Sequence, residues 1–182
     1  HILDVADKDA IKALPEKVIA QHGKVDLVFN NAGITFDSSF ENLAEEQWDS
    51  VMDINLHGVV NMTRAFMPHL KDRPEAAIVN TSSIAGVIPS PGSVAYTASK
   101  FAVAGLSQAL RVEAELHGVR VSVLCPGSVR TPILEGGKYG KLPRGITPEK
   151  AKEYWGNLPV SAEVFAKIAV DQIARNKAVI VS

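Results

Sequence analysis

The sequence predicts an α/β fold, a doubly wound parallel sheet forming a single domain over residues 1–182. Three observations predict it. Short apolar runs alternate with helical stretches along the chain. Helices stand between the strands, which implies parallel pairing with helices on both faces. The unusual residues follow strand candidates, where ligands sit in such sheets.

Composition sets the outer limits. Of 182 residues, 46% are hydrophobic, enough for one core without disulfides. Nineteen Lys and Arg against twenty Asp and Glu leave a formal charge of −1. That balance excludes a strongly basic nucleic-acid binder and a disordered acidic chain. The single cysteine excludes a disulfide-stapled scaffold and points to a reducing, cytoplasmic setting. No apolar run approaches the roughly 18 residues of a membrane span.

The elements follow in order. Ile2-Leu3-Asp4-Val5 is a short strand candidate. Asp7 or Asp9 caps a helix carrying Ile11, Leu14, Val18 and Ile19, with the regular part starting near Pro15 and stopping at Gly23. Val25 to Asn30 is the next strand, rich in β formers. A helix covers Glu45 to Met67: Trp48, Val51, Met52, Asn55, Val59, Met62 and Phe66 recur at helical spacing, and Pro68 ends it. Ala76 to Thr81 is a strand, and the Gly-, Pro- and Ser-rich stretch Ser83–Ser93 is a loop. Val94 to Leu116 is a long helix ending before Gly118. Val119 to Cys125 is a strand closed by Pro126-Gly127. Thr131 to Pro159 is irregular, broken by glycines and prolines. Ser161 caps a final helix through Ile173, and Ala178 to Val181 is the last strand.

Tyr96-Thr97-Ala98-Ser99-Lys100 is the centre of the chemical argument, although the motif taken alone also fits a surface or structural pair. Four residues apart, Tyr96 and Lys100 share a helix face. A phenol titrates near 10, and a neighbouring ammonium favours its ionised form. Such a pair can move a proton to or from a substrate oxygen. Ser82-Ser83 ends a strand just upstream, and Ser83 can donate to a substrate carbonyl or alkoxide. Neither serine has a G-x-S-x-G surround. Asn55 is a polar residue inside an apolar helical stretch and needs a partner if buried. Asn30-Asn31-Ala32-Gly33 offers amides, small side chains and a turn that lets backbone approach a ligand. Cys125 reads as a buried strand residue. His22, His57, His69 and His117 show no metal-like spacing, so no metal site is expected. Lys138, Lys141 and Arg144 read as a solvated loop face.

As a set, these residues resemble the short-chain dehydrogenase/reductase family. The match consists of Asp4-Val5, Asn30-Asn31-Ala32-Gly33, Asn55, Ser83, Tyr96-x-x-x-Lys100 and Pro126-Gly127-x-Val129-x-Thr131, in family order and spacing. Ser83, rather than Ser82, stands at the family's usual distance before the tyrosine. The resemblance implies a Rossmann-like fold and an NAD- or NADP-dependent interconversion of a secondary alcohol and a ketone. It implies that Tyr96 is the proton acid and base, and that Lys100 lowers its pKa and holds the nicotinamide ribose. Ser83 then polarises the substrate oxygen, and Asn55 holds a water leading to Lys100. Asp4 and Val5 are expected at the adenine; Asn30, Ala32 and Gly33 beside the adenosine ribose and diphosphate. Pro126, Gly127, Val129 and Thr131 are expected at the nicotinamide. Residues 132–160 are expected to form a mobile substrate lid, in which Tyr154 and Trp155 line the pocket or pack the lid itself. A homodimer or homotetramer is implied through the helices carrying Asn55 and Tyr96, with no nucleic-acid or membrane partner.

The resemblance begins only near the end of the family's third strand. The family's glycine-rich T-G-x-x-x-G-x-G turn, its first helix and the segment that selects NAD or NADP are not in this sequence. About 60 residues are therefore expected to precede His1 in a complete member of ordinary domain size. A truncated, non-catalytic binding protein is the alternative from a different class. An epimerase or dehydratase using the same Tyr/Lys pair is a further enzyme reading. The apolar insertion admits a steroid-like, fatty-acyl or small alcohol, or an acyl-carrier-linked ketone.

Overall fold

The computed structural model of the chain describes residues 1–71, 73–131, 133, 147, 149–150, 153 and 160–181. Its first helix, α1, runs Lys8–His22. The Asp7 side chain accepts the Ala10 N–H at 2.9 Å, which selects Asp7 over Asp9 as the cap. Gly23 ends α1 at φ 78°, a left-handed turn that a side chain would strain. Pro15 lies inside α1 rather than at its start. It gives up one backbone bond, and its ring is buried instead. Ile2–Val5 forms no strand, contrary to expectation. A strand needs a partner, no described strand pairs with this segment, and Ile2 is fully exposed.

Strand β1 (Leu27–Asn30) starts two residues later than the apolar run suggests. The single helix expected over Glu45–Met67 has three parts. These are α2 (Glu45–Met52), a π-helical segment at Asp53–His57, and α3 (Gly58–Leu70). Pro68 sits inside α3 and does not end it. Strand β2 spans Ala77–Thr81, and the following loop contains one 3₁₀ turn at Ile84–Gly86. Helix α4 (Val94–Glu115) leads to β3 (Arg120–Cys125). A short parallel pair not expected from the sequence joins β4 (Val129–Arg130) to β5 (Val160–Ser161). Ser161 caps α5 (Ala162–Ala174) through the Val164 N–H, and β6 (Val179–Val181) follows. The lid expected over 132–160, with Tyr154 and Trp155, lies outside the described residues apart from a few isolated positions. So do Lys138, Lys141 and Arg144.

The sheet order is β1-β2-β3-β6, all parallel. This is the expected doubly wound architecture. Leu14, Phe66, Leu70 and Ala114 pack with Val28, Ile78 and Val121 on one face. Ala169, Phe165 and Ile173 of α5 pack with Val79, Leu124 and Ile180 on the other. Ile78, Val79, Val121 and Val123 are at most 1% exposed, which explains why the central strands read as continuous apolar runs. On β1 the alternation is visible: Val28 and Asn30 are buried, while Leu27 and Phe29 remain almost half exposed. Among the described residues no helix is long and apolar enough to cross a membrane.

Candidate active site

The carboxyl ends of β2 and β3 and the first turns of α4 form one polar cluster. The backbone of β2 leads straight into it. Thr81 offers its carbonyl to Lys100 Nζ at 2.9 Å. Ser82 donates its N–H to the Leu124 carbonyl at 2.8 Å and its hydroxyl to the Lys100 carbonyl at 2.7 Å. Ser83 caps the 3₁₀ turn, accepting the Ala85 N–H at 3.1 Å. The Ile84 N–H reaches the Pro126 carbonyl at 2.8 Å, which ties the end of β3 to the same place.

Tyr96 and Lys100 face this cluster from α4. Lys100 Nζ lies 5.4 Å from the centroid of the Tyr96 ring, within cation–π range. Lys100 is 2% exposed, and burial pushes its pKa down to about 8, only partly offset by Cys125. Burial also raises the Tyr96 phenol above its ordinary value, while hydrogen bonding to Ser83 pulls it back. The sequence argument expects Lys100 to lower Tyr96. In this chain burial is the largest influence on the phenol.

Asn55 sits in the π-helical segment and is fully buried. Its amide brackets Ile34, accepting that residue's N–H at 2.8 Å and donating to its carbonyl at 2.9 Å. Its second N–H donates to Ser99 Oγ at 3.0 Å. Wide helical turns recur at functional sites because they re-aim one side chain. Gly33 lies against both partners: a Cβ there would meet Lys100 Nζ at 3.3 Å and Asn55 Oδ1 at 3.4 Å. A side chain at that position would crowd the ammonium and the Asn55 amide oxygen.

Other residues of the matched motifs lie elsewhere. Asn30 turns its side chain into the core, donating to Asn80 Oδ1 at 2.8 Å and to Thr63 Oγ1 at 3.2 Å. Its side-chain Oδ1 is buried and has no hydrogen-bond partner among the described residues. Asp4 is exposed and accepts the Ala6 N–H at 2.9 Å in the turn before α1. Val5 packs on Gly58, where a Cβ would come within 3.2 Å of it. Ala32 is exposed, Pro126, Gly127 and Thr131 are half-buried, and Val129 is buried in β4.

Four contributors had no clear signal in the sequence. They are the Thr81 carbonyl, Ser82, Ser99 and Gly86. The last is the most constrained. A Cβ on Gly86 would overlap Ser82 Oγ and lie 2.5 Å from the Lys100 carbonyl oxygen. Gly86→Ala is therefore expected to push α4 off the 3₁₀ turn and destabilise the fold by about 1–3 kcal/mol, the usual cost of overpacking. Urea unfolding of the variant checks this. A midpoint equal to that of the parent would show that the turn can move freely.

The model for the family described as short chain dehydrogenase matches residues 2–138. The chain belongs to this family. It is 39% identical over 153 residues to the 3-oxoacyl-[acyl-carrier-protein] reductase FabG of Thermotoga maritima, covering 84% of this chain and 58% of that protein. It is 37% identical over 135 residues to the oxidoreductase UcpA of Escherichia coli, covering 74% of this chain and 51% of that one. The chain thus spans between half and two-thirds of the length of these curated relatives. Among solved structures, a short chain dehydrogenase/reductase from Burkholderia phymatum in complex with NAD superimposes with a TM-score of 0.86 at 26% identity, covering 98% of this chain and 68% of that one. A gluconate 5-dehydrogenase from Burkholderia cenocepacia in complex with NADP and tartrate gives 0.69 at 28% identity, covering 72% and 51%. The doubly wound parallel sheet expected from the element order is therefore the Rossmann-like sheet that the resemblance implies.

Proposed function

We propose that the protein containing this chain is an NAD- or NADP-dependent oxidoreductase that interconverts a secondary alcohol and a ketone. The observation that carries this reading is the convergence of Ser83, Tyr96 and Lys100 at the carboxyl edge of β2. The phenol hydroxyl and the Ser83 hydroxyl converge, so both can bond to one substrate oxygen. In reduction Tyr96 donates its proton to the oxygen that becomes the alcohol. In oxidation its phenolate removes that proton. Ser83 holds the oxygen throughout and stabilises the charge that develops on it.

The residues present suit the nicotinamide end of a dinucleotide. Among the described residues, Lys100 Nζ makes one hydrogen bond, to Thr81, leaving two N–H donors for ribose hydroxyls. Gly33 puts no side chain against that ammonium. Pro126 and Gly127 follow β3, with the Pro126 carbonyl on the Ile84 N–H, and Val129 and Thr131 are assigned to the nicotinamide on family resemblance. Asp4, Val5, Asn30 and Ala32 are assigned to the adenosine half on family resemblance. When bound, the nicotinamide supplies or takes the hydride. Asn55 is assigned to the proton path as the holder of a water leading to Lys100.

A cytoplasmic location accords with the single free, buried Cys125. A homodimer or homotetramer accords with the outer face of α4. There Val94, Phe101, Val112 and Leu116 are 40–84% exposed and fall on one stripe. Sedimentation at micromolar concentration is expected to show a dimer or tetramer, and only monomer would count against this assembly.

The test of function is direct. The full-length protein is titrated with both dinucleotides in oxidised and reduced form. It is then assayed on a panel of secondary alcohols and ketones that includes a 3-oxoacyl thioester. Saturable binding with turnover of at least one pair is expected. Absence of both would favour the non-catalytic alternative. Binding accompanied by epimerisation or dehydration would shift the reaction class.

A further inference from the structure

Ser99 follows the tyrosine by three residues, directly precedes the lysine and is completely buried. Its hydroxyl donates to the Tyr96 carbonyl at 2.7 Å and accepts from Asn55 Nδ2 at 3.0 Å. Asn55 in turn grips both backbone groups of Ile34. One hydroxyl and one amide therefore join three segments: the loop after β1, the π-helical segment, and the turn of α4 that carries Tyr96 and Lys100. On the other side of that turn, Ser82 holds the Lys100 carbonyl at 2.7 Å. The turn is thus hydrogen-bonded from two directions, and among the described residues the bond from Asn55 reaches it through Ser99.

We propose that Ser99 is a positioning residue: its hydroxyl sets the Tyr96–Lys100 turn against the π-helical segment and so aims the tyrosine at the Ser83 hydroxyl. A serine bonding back to a carbonyl of its own helix tilts that carbonyl and bends the helix locally. Here the bend falls on the residue whose hydroxyl must meet a substrate oxygen. Without the Ser99 hydroxyl, Asn55 loses a buried acceptor, while Lys100 keeps its anchors on Ser82 and Thr81, so the loosening falls on the Tyr96 end of the turn. Misplacing a reacting group by about 1 Å is enough to cost on the order of 100-fold in rate.

The chain supplies its own control. Ser107 lies two turns further along α4 and is equally buried. It has the same bonding pattern, donating to the Val103 carbonyl at 2.6 Å and accepting from Asn80 at 2.9 Å. It touches none of the groups assigned to catalysis. This proposal rests on the oxidoreductase reading, so Tyr96→Phe is assayed alongside. In the full-length protein Ser99→Ala is expected to lower kcat by about 10- to 100-fold with the dinucleotide Kd within about twofold of the parent. Ser107→Ala is expected to lower the melting temperature comparably while kcat stays within about twofold. Ser99→Cys keeps the volume with a weaker donor, and it covers the case in which the alanine variant does not fold. It is expected to show a smaller loss in the same direction. Full kcat in whichever Ser99 variant folds overturns the proposal, as does an equal loss of kcat in the Ser99 and Ser107 variants. If Tyr96→Phe remains active, the oxidoreductase reading itself fails, and that result is separate from either outcome at Ser99.

Discussion

Tyr96→Phe is expected to lower turnover by about 10²- to 10⁴-fold, the usual contribution of a positioned general acid or base. The ring stays, so packing against Lys100 and the first turn of α4 is retained; only the hydroxyl and its link to Ser83 are lost. Dinucleotide affinity is therefore expected to change by less than about threefold, since the loss falls on kcat. The pH dependence follows from the raised phenol. At neutral pH it is protonated, so ketone reduction is served directly and slows as pH rises. Alcohol oxidation needs the phenolate and accelerates with pH. Stopped-flow or steady-state rates in both directions check this, and near-normal turnover in the phenylalanine variant would remove Tyr96 from the mechanism.

Lys100→Met is expected to lower both turnover and dinucleotide affinity, turnover by about 100-fold or more. Its effect on stability has the opposite sign. Lys100 titrates at about 8 in the folded chain against an ordinary 10.5. Between those values the unfolded chain binds more protons than the folded one, so the folded state gains stability as pH rises through that window. Below about 8 the whole cost of the buried charge is present. Tyr96, raised above 10, contributes in the other direction only at the top of the range. The parent, without dinucleotide, is thus expected to melt at a higher temperature as pH goes from 8 towards 10. The methionine variant is expected to lose most of that rise and to be the more stable of the two at pH 7. A parent whose melting temperature is flat across that window would mean that Lys100 is not desolvated in the free protein.

These two predictions use residues that the sequence itself singles out. Tyr96 and Lys100 lie on one helix, and a fixed offset on a helix places both side chains on one face without any tertiary information. Ser83 is legible because it follows a strand. The π-helical segment is not. A single wide turn slips the register by one residue, and the apolar positions from Trp48 to Phe66 still read as one helix. Asn30 is similar: Leu27, Val28 and Phe29 are all apolar, so no alternation shows which face the last residue of the strand takes. The structure turns that side chain into the core with Asn80 and Thr63. Gly86 and Ser99 are a glycine in a glycine-rich loop and a serine among many. What distinguishes them is a carbonyl 2.5 Å from a missing Cβ and a hydroxyl shared by two segments.

By itself the sequence determined the alternation of strands and helices and the parallel sheet, which follow from local periodicity along one chain, and its set of motifs carried the resemblance to the family to which the chain belongs. Only the tertiary structure decided how the residues of those motifs are charged and aimed. The burial of Lys100, the raised phenol and the Ser99 link between α4 and Asn55 arise from groups more than forty residues apart in the chain meeting in a water-poor interior. Desolvation depends on everything that surrounds a group, and no spacing within one segment records it.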